Sequence, residues 1–418
     1  MPIAITDRLM AGKSMRLANA LGMIRDHLPI VRDREDVELW DARGRVLASA
    51  LIASSDLPVH DSATMDGFAI RSVDIAREKT TALKIIGKAA AGAPFEGTVS
   101  IDEAVRVLTG AEMPKGADAV IKQEQCIVHG EQLYLRPNSL DAGRNWRQRG
   151  VEAKTGCELL PIGHRLRSQD LALAGALGLQ RLTVFRRIKV GLFSTGNELC
   201  EAGQKLSKGK RWDANRFLLH GALASLACEV QDYGILADDP VKTEVALLAA
   251  ARDCDLLITS GGMSVGSEDH MRSIIRRRGA LEVWPLAIRP GRPVGFGDID
   301  DCPILALPGN PIAATMAFIA FGRPLIAMLA GARDEQPVTF QATAQFMLEK
   351  PEGIRQFILT DIANGPSGVT TAVPWPRQSP DLLLPLVGAR ALIVLPEECT
   401  AVAPGDFVTV VPFETFLQ

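Results

Sequence analysis

The chain has 418 residues, of which 47% are hydrophobic and 23% charged, so it can bury several cores and divides on length into roughly two to four domains. The formal net charge of -3, from 46 Lys and Arg against 49 Asp and Glu, provides no broad positive field for a polyanion and argues against a nucleic-acid partner. Seven scattered cysteines without a CxxC motif indicate neither a disulfide framework nor a zinc cage, and favour a reducing cytoplasm. The N-terminal segment lacks an apolar core followed by a small-residue cleavage site, which argues against secretion.

Helical periodicity marks two separated stretches in the first half of the chain, residues 15–28 and 166–179. We expect the regions around them, 1–50 and 145–187, to form one elongated, helix-rich domain. Residues 51–144 lie between these regions and are rich in Gly, Pro and Val, with short strand-like runs. This composition predicts an inserted β domain.

From residue 188 onward, strand-like and helical segments alternate, which predicts a parallel, doubly wound αβα domain over 188–331. Helix N-caps are expected at Asp213, at Asp239 before Pro240, and at Asn310 before Pro311. The alternating segments are a strand at 189–195, a helix from Asp213, a strand at 229–236, a helix after Pro240, a strand at 255–262 and a helix from Asp269.

The longest apolar run, residues 312–331, approaches the length of a membrane span but contains Arg323 and Pro324. We therefore expect a buried helix, kinked or broken near Pro324, and no membrane association. After it, strand-like segments separated by Pro and Gly turns predict a small β-barrel or sandwich over 332–418. These segments are 338–348, 354–362, 389–396 and 407–413.

Three polar, glycine-bearing turns each follow an apolar strand: STGNE at 194–198, TSGGMSVG at 259–266 and LPGNP at 307–311. Ligands of open parallel sheets bind beyond the carboxyl ends of the strands, so we expect the three turns to converge on one crevice. One such turn is usually an ordinary turn, but three at one edge favour phosphate binding. The predicted substrate- and phosphate-binding residues are Ser194, Thr195, Gly196, Ser260, Gly261, Gly262, Ser264, Gly266, Pro308, Gly309 and Asn310.

Carboxylates follow the same strands: Glu198 after the first turn, Asp238 and Asp239 after the strand at 229–236, and Asp269 after the second turn. Oxygen ligands beside a phosphate site suit Mg²⁺, which takes one or two carboxylates together with ligand oxygens and water. For Asp239 and Asp269, helix capping remains an equal alternative.

Two further clusters are candidates for the site. In the segment IRPGRP, Arg289 and Arg292 flank Gly291 on a turn stiffened by prolines, which suits the binding of an oxyanion; a solvated surface loop is the alternative. In the inserted β domain, Asp66 and Thr109 lie in Gly-rich, apolar segments and could form a second wall of the site. On composition alone, both could equally be turn residues.

Eight motifs, taken in order, resemble the molybdopterin molybdenumtransferase family, known as MoeA in bacteria and as the E domain of gephyrin in animals. The resemblance covers essentially the whole chain. The motifs are MDGFA at 65–69, TGAEMPKGADAVI at 109–121, RGVEAKTG at 149–156, STGNEL at 194–199, DANR at 213–216, TSGGMSVGSED at 259–269, RPGRP at 289–293 and LPGNP at 307–311.

The resemblance implies a four-domain protomer that forms a homodimer, in which the molybdopterin-binding-like αβα domain faces the inserted β domain of the other subunit across a cleft. It implies that adenylylated molybdopterin and molybdate are converted to molybdenum cofactor with release of AMP, in the presence of Mg²⁺ or a similar cation. A molybdopterin adenylyltransferase would supply the substrate, and molybdoenzymes or their chaperones would take the product.

Residue roles follow from the same resemblance. The catalytic residues it implies are Asp66, Thr109, Glu198, Asp238 and Asp269, with Glu198, Asp238 and Asp269 as metal ligands. Arg289 and Arg292 are expected to bind molybdate. Asn197 replaces the Asp usual in the first turn, and Pro285 stands where a basic residue is common, which affects the expected metal geometry and molybdate affinity.

Three other functions remain alternatives. A molybdopterin adenylyltransferase shares the αβα domain but uses it alone. A non-enzymatic scaffold is a second possibility, because the gephyrin E domain also anchors receptor peptides. A sugar- or nucleotide-binding α/β protein would explain the three turns but not the eight motifs.

Overall fold

The computed structural model describes residues 14–25, 28, 30–76, 79–137, 143–236, 239–261, 270–333, 337–365 and 368–417. They form two compact units, each described separately below. The smaller unit comprises the described residues of Ser49–Ile162 and Ser168–Arg181, and the larger unit those of Met1–Ala48, Gly163–Arg167 and Leu182–Gln418.

The described helices are, in chain order, α1 Leu17–Arg25, α2 Ser168–Ala176, α3 Asn215–Ser225, α4 Pro240–Asp253, α5 His270–Arg278, α6 Pro311–Ala317, α7 Arg323–Leu329, α8 Leu384–Gly388 and α9 Glu414–Leu417. Helix α2 belongs to the smaller unit and the others to the larger one. The helices α1 and α2 lie within the two stretches whose periodicity predicted them.

A six-stranded sheet forms the main part of the smaller unit, in the order β4-β1-β3-β2-β6-β5. Both faces of the sheet are covered, since Phe68 and Ile70 of β1 pack into one hydrophobic cluster and Ala69 between them packs into another. The inserted β domain is therefore observed. Its strands are β1 Gly67–Ile70, β2 Thr81–Ala89, β3 Glu103–Val107, β4 Ala119–Lys122, β5 Cys126–His129 and β6 Gln132–Leu135.

The larger unit contains a second six-stranded sheet, in the order β8-β7-β9-β12-β11-β10. Strands β8, β7, β9 and β12 are parallel neighbours, and β11 runs antiparallel to both β12 and β10. The strands are β7 Lys189–Thr195, β8 Glu229–Leu236, β9 Leu256–Ser260, β10 Leu281–Pro285, β11 Pro293–Ile299 and β12 Cys302–Leu307.

Helices cover both faces of this sheet. Leu192 of β7 packs in one cluster with Leu219 of α3, and the adjacent Phe193 packs in another with Leu247 of α4 and Ile274 of α5. Side chains alternate between the faces of a strand, so a strand buried on both sides reads as a continuous apolar run. The prediction of a doubly wound αβα domain is confirmed.

The long apolar run forms α6 and α7 with a π-helical turn, Phe318–Gly322, between them. The expected irregularity near Pro324 thus takes the form of a wide turn rather than a break, because proline has no N–H to donate in a regular ladder. Within the described residues this segment, Pro311–Leu329, is the one helix long and apolar enough to cross a membrane, and 78% of its most apolar window is buried in the protein.

Five strands close into a β-barrel at the end of the chain, in the order β14-β15-β13-β17-β16, with β16 returning to β14. The two-residue strand Ile288–Arg289 joins the edge of β14. Strand β15 has no counterpart among the predicted segments. The barrel strands are β13 Phe340–Ala344, β14 Arg355–Asn364, β15 Thr370–Pro374, β16 Ala391–Leu395 and β17 Phe407–Pro412.

Short paired strands complete both units; they are Arg34–Glu38, Leu51–Ile52, Ser62–Ala63, Trp146–Arg147, Glu158–Leu160, Arg181–Phe185, Leu199–Cys200, Arg211–Trp212, Leu348–Glu349 and Ala401–Val402. The division of the chain into four domains, at the boundaries given by the sequence, stays a prediction.

The expected helix caps differ in outcome. The carboxylate of Asp239 accepts hydrogen bonds from the backbone N–H groups of Val241 and Lys242, so Asp239 caps α4 as predicted. Asn310 occupies the cap position of α6, but its side chain makes no capping bond. Helix α3 begins at Asn215 with Ala214 at the cap position. The carboxylate of Asp213 nevertheless accepts the backbone N–H of Arg216 at 3.3 Å, which is the capping bond predicted for it.

Candidate active site

The ends of three parallel strands bring the three predicted turns together. Ser194 at the end of β7 pairs with Ser260 at the end of β9, and Ser260 pairs with Leu307 at the end of β12. The first turn leaves the sheet after Thr195, the residue that follows Ser194, and the other two leave it after Ser260 and Leu307. The turns therefore begin side by side at the carboxyl edge of the sheet, where open α/β folds bind ligands.

Gly261 lies in close contact with the first turn. Its N–H donates to the carbonyl of Leu307 at 3.0 Å, and a Cβ at this position would be 2.5 Å from the carbonyl oxygen of Thr195. A Cβ on Gly309 would be 3.7 Å from the Cα of Gly261. The three backbones thus touch, and a side chain on Gly261 would force them apart.

A buried amide fixes this arrangement. Asn215, the first residue of α3, donates from Nδ2 to the Ser260 hydroxyl at 2.7 Å and to the Gly309 carbonyl at 2.8 Å. One side chain therefore joins the second turn to the third. Sequence reasoning gave Asn215 no role, although it stands in the DANR motif; a buried amide has to satisfy its donors, but the sequence does not name the acceptors.

Several buried hydroxyls stand beside the turns without partners. Within the described part of the chain, the side-chain oxygens of Ser194, Thr195 and Thr259 are buried and make no hydrogen bond. Leaving a buried hydroxyl unpaired costs about 1–3 kcal/mol. These groups supply unused hydrogen-bonding capacity at the edge where a polar ligand is expected.

Glu198 folds back over the first turn. Gly196 has a positive φ of 148°, and a Cβ there would be 2.5 Å from Oε2 of Glu198. The other carboxylate oxygen, Oε1, accepts a hydrogen bond from Nη2 of Arg211 at 2.9 Å. The ammonium of Lys210 donates to the carbonyl of Asn197 in the same turn. Two cations therefore lie against the turn that carries Glu198.

An ion-pair cluster around the buried Arg216 anchors the segment that carries these cations. The guanidinium of Arg216 in α3 is 5% exposed and donates to both carboxylate oxygens of Glu201. Its Nε lies 3.2 Å from Asp232 and 3.7 Å from Asp213. The hydrogen bond from Arg216 lowers the pKa of Glu201 below its ordinary value. The chain after Glu198 is thus tied to the first turn of α3.

The two predicted oxyanion-binding arginines lie at the same edge of the sheet. Pro285, at the end of β10, pairs with Pro293 at the start of β11, so the loop between them lies at the end of the sheet where β12 terminates. Gly291 packs against α6, since a Cβ there would be 2.9 Å from the carbonyl of Ala313. Arg289 and Arg292 are exposed.

In the smaller unit, Asp66 and Thr109 are brought together. Oδ1 of Asp66 accepts hydrogen bonds from the backbone N–H and the hydroxyl of Thr109, both at 2.8 Å. These bonds, the backbone one first, lower the pKa of the Asp66 carboxyl and keep it ionised. The catalytic role of this pair stays a prediction.

Several predicted site residues lie outside the described residues: Asp238, Gly262, Ser264, Gly266 and Asp269. Of the three predicted metal ligands, Glu198 is the one described, and Arg211 is already bound to it. The described parts of the chain contain no group of three or more His, Cys, Asp or Glu side chains that could hold a metal ion. Glu198 alone, with Arg211 bound to it, does not supply the oxygen ligands that a Mg²⁺ site requires.

Comparison with known proteins assigns most of the chain to three family models. Residues 15–178 match the model of the MoeA N-terminal region (domain I and II), 191–328 that of a probable molybdopterin binding domain, and 341–413 that of the MoeA C-terminal region (domain IV). A molybdopterin molybdenumtransferase of Haemophilus influenzae is 34% identical over 96% of this chain and 100% of the relative. The chain belongs to the molybdopterin molybdenumtransferase family.

Other members of the molybdopterin molybdenumtransferase family agree with this assignment. Molybdopterin molybdenumtransferase 2 of Mycobacterium tuberculosis is 32% identical over 88% of this chain and 92% of its own. The crystal structure of a molybdopterin biosynthesis MoeA protein from Pyrococcus horikoshii OT3 superposes with a TM-score of 0.81, at 28% identity, over 96% of this chain and 100% of that one. A second crystal structure from that organism superposes with a TM-score of 0.74, at 27% identity, over 96% of this chain and 99% of that one. The family and the fold class inferred from the motifs are confirmed.

Proposed function

We propose that this protein is the molybdenum-inserting transferase of molybdenum cofactor biosynthesis: it binds adenylylated molybdopterin and molybdate, and releases AMP as molybdenum is placed on the dithiolene sulfurs. The observation that carries the proposal is the contact of three glycine-bearing turns at one sheet edge, held by Asn215. The full-length match to relatives named molybdopterin molybdenumtransferase supports it over a single-domain adenylyltransferase.

The diphosphate of the substrate would bind at the three turns. Close backbone approach is possible there because Gly261 and Gly309 have no side chain. Ser194, Thr195 and Thr259 offer hydroxyl donors that the described residues leave unused. Hydrogen-bond donors that are already in position would stabilise the charge that develops on the departing AMP. Because they need not rearrange first, they would lower the barrier to AMP release.

Molybdate would bind at Arg289 and Arg292. Both guanidiniums stand on a loop that is fixed on one side by pairing of Ile288–Arg289 with β14 and on the other by contact of Gly291 with α6. A fixed pair of planar donors suits a tetrahedral oxyanion. The two arginines thereby hold the second substrate at the edge that binds the first.

The remaining expectations belong to the same proposal. Asp66 and Thr109 would act from the inserted β domain of the other subunit in a homodimer, and the protein would work in the cytoplasm. A molybdopterin adenylyltransferase would supply the substrate, and molybdoenzymes or their chaperones would receive the product. Where a divalent cation such as Mg²⁺ binds, Asp238 and Asp269 would hold it together with Glu198, once Glu198 is released from Arg211, and it would neutralise phosphate charge.

The test is to incubate the purified protein with adenylylated molybdopterin, with and without molybdate, and to measure AMP and active cofactor. AMP release that depends on molybdate, together with cofactor formation, supports the proposal. Binding of the adenylate without cleavage would favour a carrier or scaffold. The double variant Arg289→Ala/Arg292→Ala should raise the molybdate concentration needed for half-maximal rate by about tenfold, whereas Arg34→Ala, at an exposed strand position, should not change it.

A further inference from the structure

The segment after the first turn is strongly basic. Between Cys200 and Trp212 the chain carries Lys205, Lys208, Lys210 and Arg211 but one carboxylate, Glu201. The carboxylate of Glu201 is bound by Arg216, so it does not neutralise these four cations. A region of positive charge therefore adjoins the turn where phosphate is expected to bind.

Backbone contacts fix Arg211 beside Glu198 independently of their side chains. Leu199–Cys200 and Arg211–Trp212 form a short parallel pair, in which the N–H of Arg211 donates to the carbonyl of Glu198 at 2.7 Å. The N–H of Asp213 donates to the carbonyl of Cys200 at 3.0 Å, and Trp212 Nε1 donates to the carbonyl of Gln204, also at 3.0 Å. The backbone of Arg211 is thus held beside the turn, within reach of Glu198, even when the ion pair opens.

Glu198 makes a cation necessary at this position. Its carboxylate folds over Gly196, at the first phosphate-binding turn, and would repel a phosphate there unless its charge were neutralised. The neighbouring Asn197 is uncharged, so it adds no second carboxylate that could attract a metal at this turn. The cation that the structure places at Glu198 is Arg211.

A second acidic group, Asp381, is within electrostatic reach of Arg211. The charge of Arg211 lowers the pKa of Asp381, after the larger effect of the Ser379 hydroxyl. Next to Asp381, the carbonyl of Pro380 accepts the N–H of Ile312 in α6 at 3.0 Å, so this segment lies against the helix that follows the third turn. The segment that carries Asp381 therefore lies beside the third turn, and the charge of Arg211, which is next to the first turn, acts on it.

We propose that Arg211 is a phosphate-binding residue that takes, in this protein, the place of a divalent metal at Glu198. The inference rests on the proposed function. The guanidinium neutralises Glu198 with one edge, and its remaining N–H groups, which have no acceptor among the described residues, bind the nucleotide phosphate. A divalent cation and Arg211 then compete for the same carboxylate.

The test is AMP binding measured by calorimetry, once with EDTA and once with Mg²⁺, for the wild type, Arg211→Met and the control Lys208→Met. Lys208 is an exposed cation of the same segment, so its loss removes the same charge without touching Glu198. With EDTA, the wild type should bind AMP, Arg211→Met should bind about tenfold more weakly, and Lys208→Met should stay within about twofold of the wild type.

Two further measurements test whether the lower AMP affinity of Arg211→Met comes from the unpaired carboxylate of Glu198. Mg²⁺ should recover part of the affinity of Arg211→Met, because Glu198 is then free to bind it. Adding Glu198→Gln to Arg211→Met should recover part of the affinity without any metal. Arg211 and Glu198 are both half-exposed, so Arg211→Met should fold normally, which circular dichroism checks.

Equal AMP affinity of Arg211→Met and the wild type in EDTA would overturn the inference while leaving the proposed function intact. Binding by the wild type that requires Mg²⁺ would also overturn it. Absence of AMP binding by the wild type in both buffers would instead remove the nucleotide site itself, and with it the proposed function.

Discussion

The side-chain amide of Asn215 and the hydroxyl of Ser260 are joined by a buried hydrogen bond of 2.7 Å, and this bond connects the start of α3 to the end of β9. The same amide nitrogen also donates to Gly309, after β12. A single residue outside the three turns therefore sets the spacing between two of them. The loss of that residue should affect both stability and ligand binding.

Asn215→Ala should destabilise the larger unit by about 2 kcal/mol, because it leaves the buried Ser260 hydroxyl and the partly buried Gly309 carbonyl without their donor. AMP affinity should fall at the same time. Urea unfolding and calorimetry measure the two effects. Asn364→Ala, at an exposed position in the barrel, is the control and should stay within about 0.5 kcal/mol of the wild type. Equal stability of the two variants would show that the Asn215 bonds do not hold the turns.

Gly261→Ala should be more harmful than the same change at another glycine with a similar backbone. Gly261 and Gly405 have φ values of 91° and 98°, but a Cβ meets Thr195 at 2.5 Å at the first and nothing within 4 Å at the second. We expect a cost of about 3 kcal/mol for Gly261→Ala and about 1 kcal/mol for Gly405→Ala. Thermal unfolding of both variants gives the difference, and similar melting temperatures would contradict close packing of the turns.

Glu201→Gln should change the dependence of stability on acid pH. The folded-state pKa of Glu201 lies below its ordinary value, chiefly through the hydrogen bond from Arg216. The contribution of the ionised Glu201 to the free energy of unfolding is therefore present in full above about pH 5, and it is lost as the pH falls below about 4. The variant should be less stable than the wild type by about 1 kcal/mol at pH 7, a figure that allows for solvent screening, and by less at pH 3.

The measurement for Glu201 is urea unfolding at several pH values. Glu349→Gln, at an exposed residue of the short strand Leu348–Glu349, serves as the matched control and should show no such pH-dependent difference. A stability difference between Glu201→Gln and the wild type that is constant from pH 7 to pH 3 would rule out the ion pair as its cause.

Thr109→Val should raise the pKa of Asp66. The variant loses the hydroxyl donor but keeps the backbone N–H, which is the larger of the two effects, so the pKa should rise only part of the way to its ordinary value. Thr109→Ser keeps a hydroxyl and should leave the pKa close to that of the wild type. Carboxyl carbon NMR during an acid titration measures this pKa, and identical titrations for the Val variant and the wild type would count against the bond.

The sequence predicted the elements whose pattern is local. The alternation of apolar strands and helices from residue 189, and the Asp239-Pro240 start of α4, depend on neighbours in the chain and were found as expected. Strand β15 was missed because its five residues, TTAVP, give too short a pattern. An irregularity in the long apolar helix was predicted near Pro324, and the structure has it at Phe318–Gly322. Its π-helical form depends on packing and could not be predicted from the sequence.

The meeting of the three turns could also be predicted, because it follows from the order of parallel strands. The roles of Asn215 and Arg211 could not. The acceptors of Asn215 are Ser260 and Gly309, and they are determined by the folded sheet rather than by spacing in the chain. Arg211 reaches Glu198 through a two-residue parallel pair that carries no sequence signal of its own.

The strands that present the turns are neighbours in space but lie far apart in the chain. Ser194, Ser260 and Leu307 become adjacent when β7, β9 and β12 reach their final register, after long loops have closed. A nascent or truncated chain that stops before Cys302 lacks β12, and so cannot supply the carbonyl of Gly309 to Asn215. Ligand binding during refolding would therefore appear with the slowest sheet-forming phase, and the site acts as a reporter of completed folding.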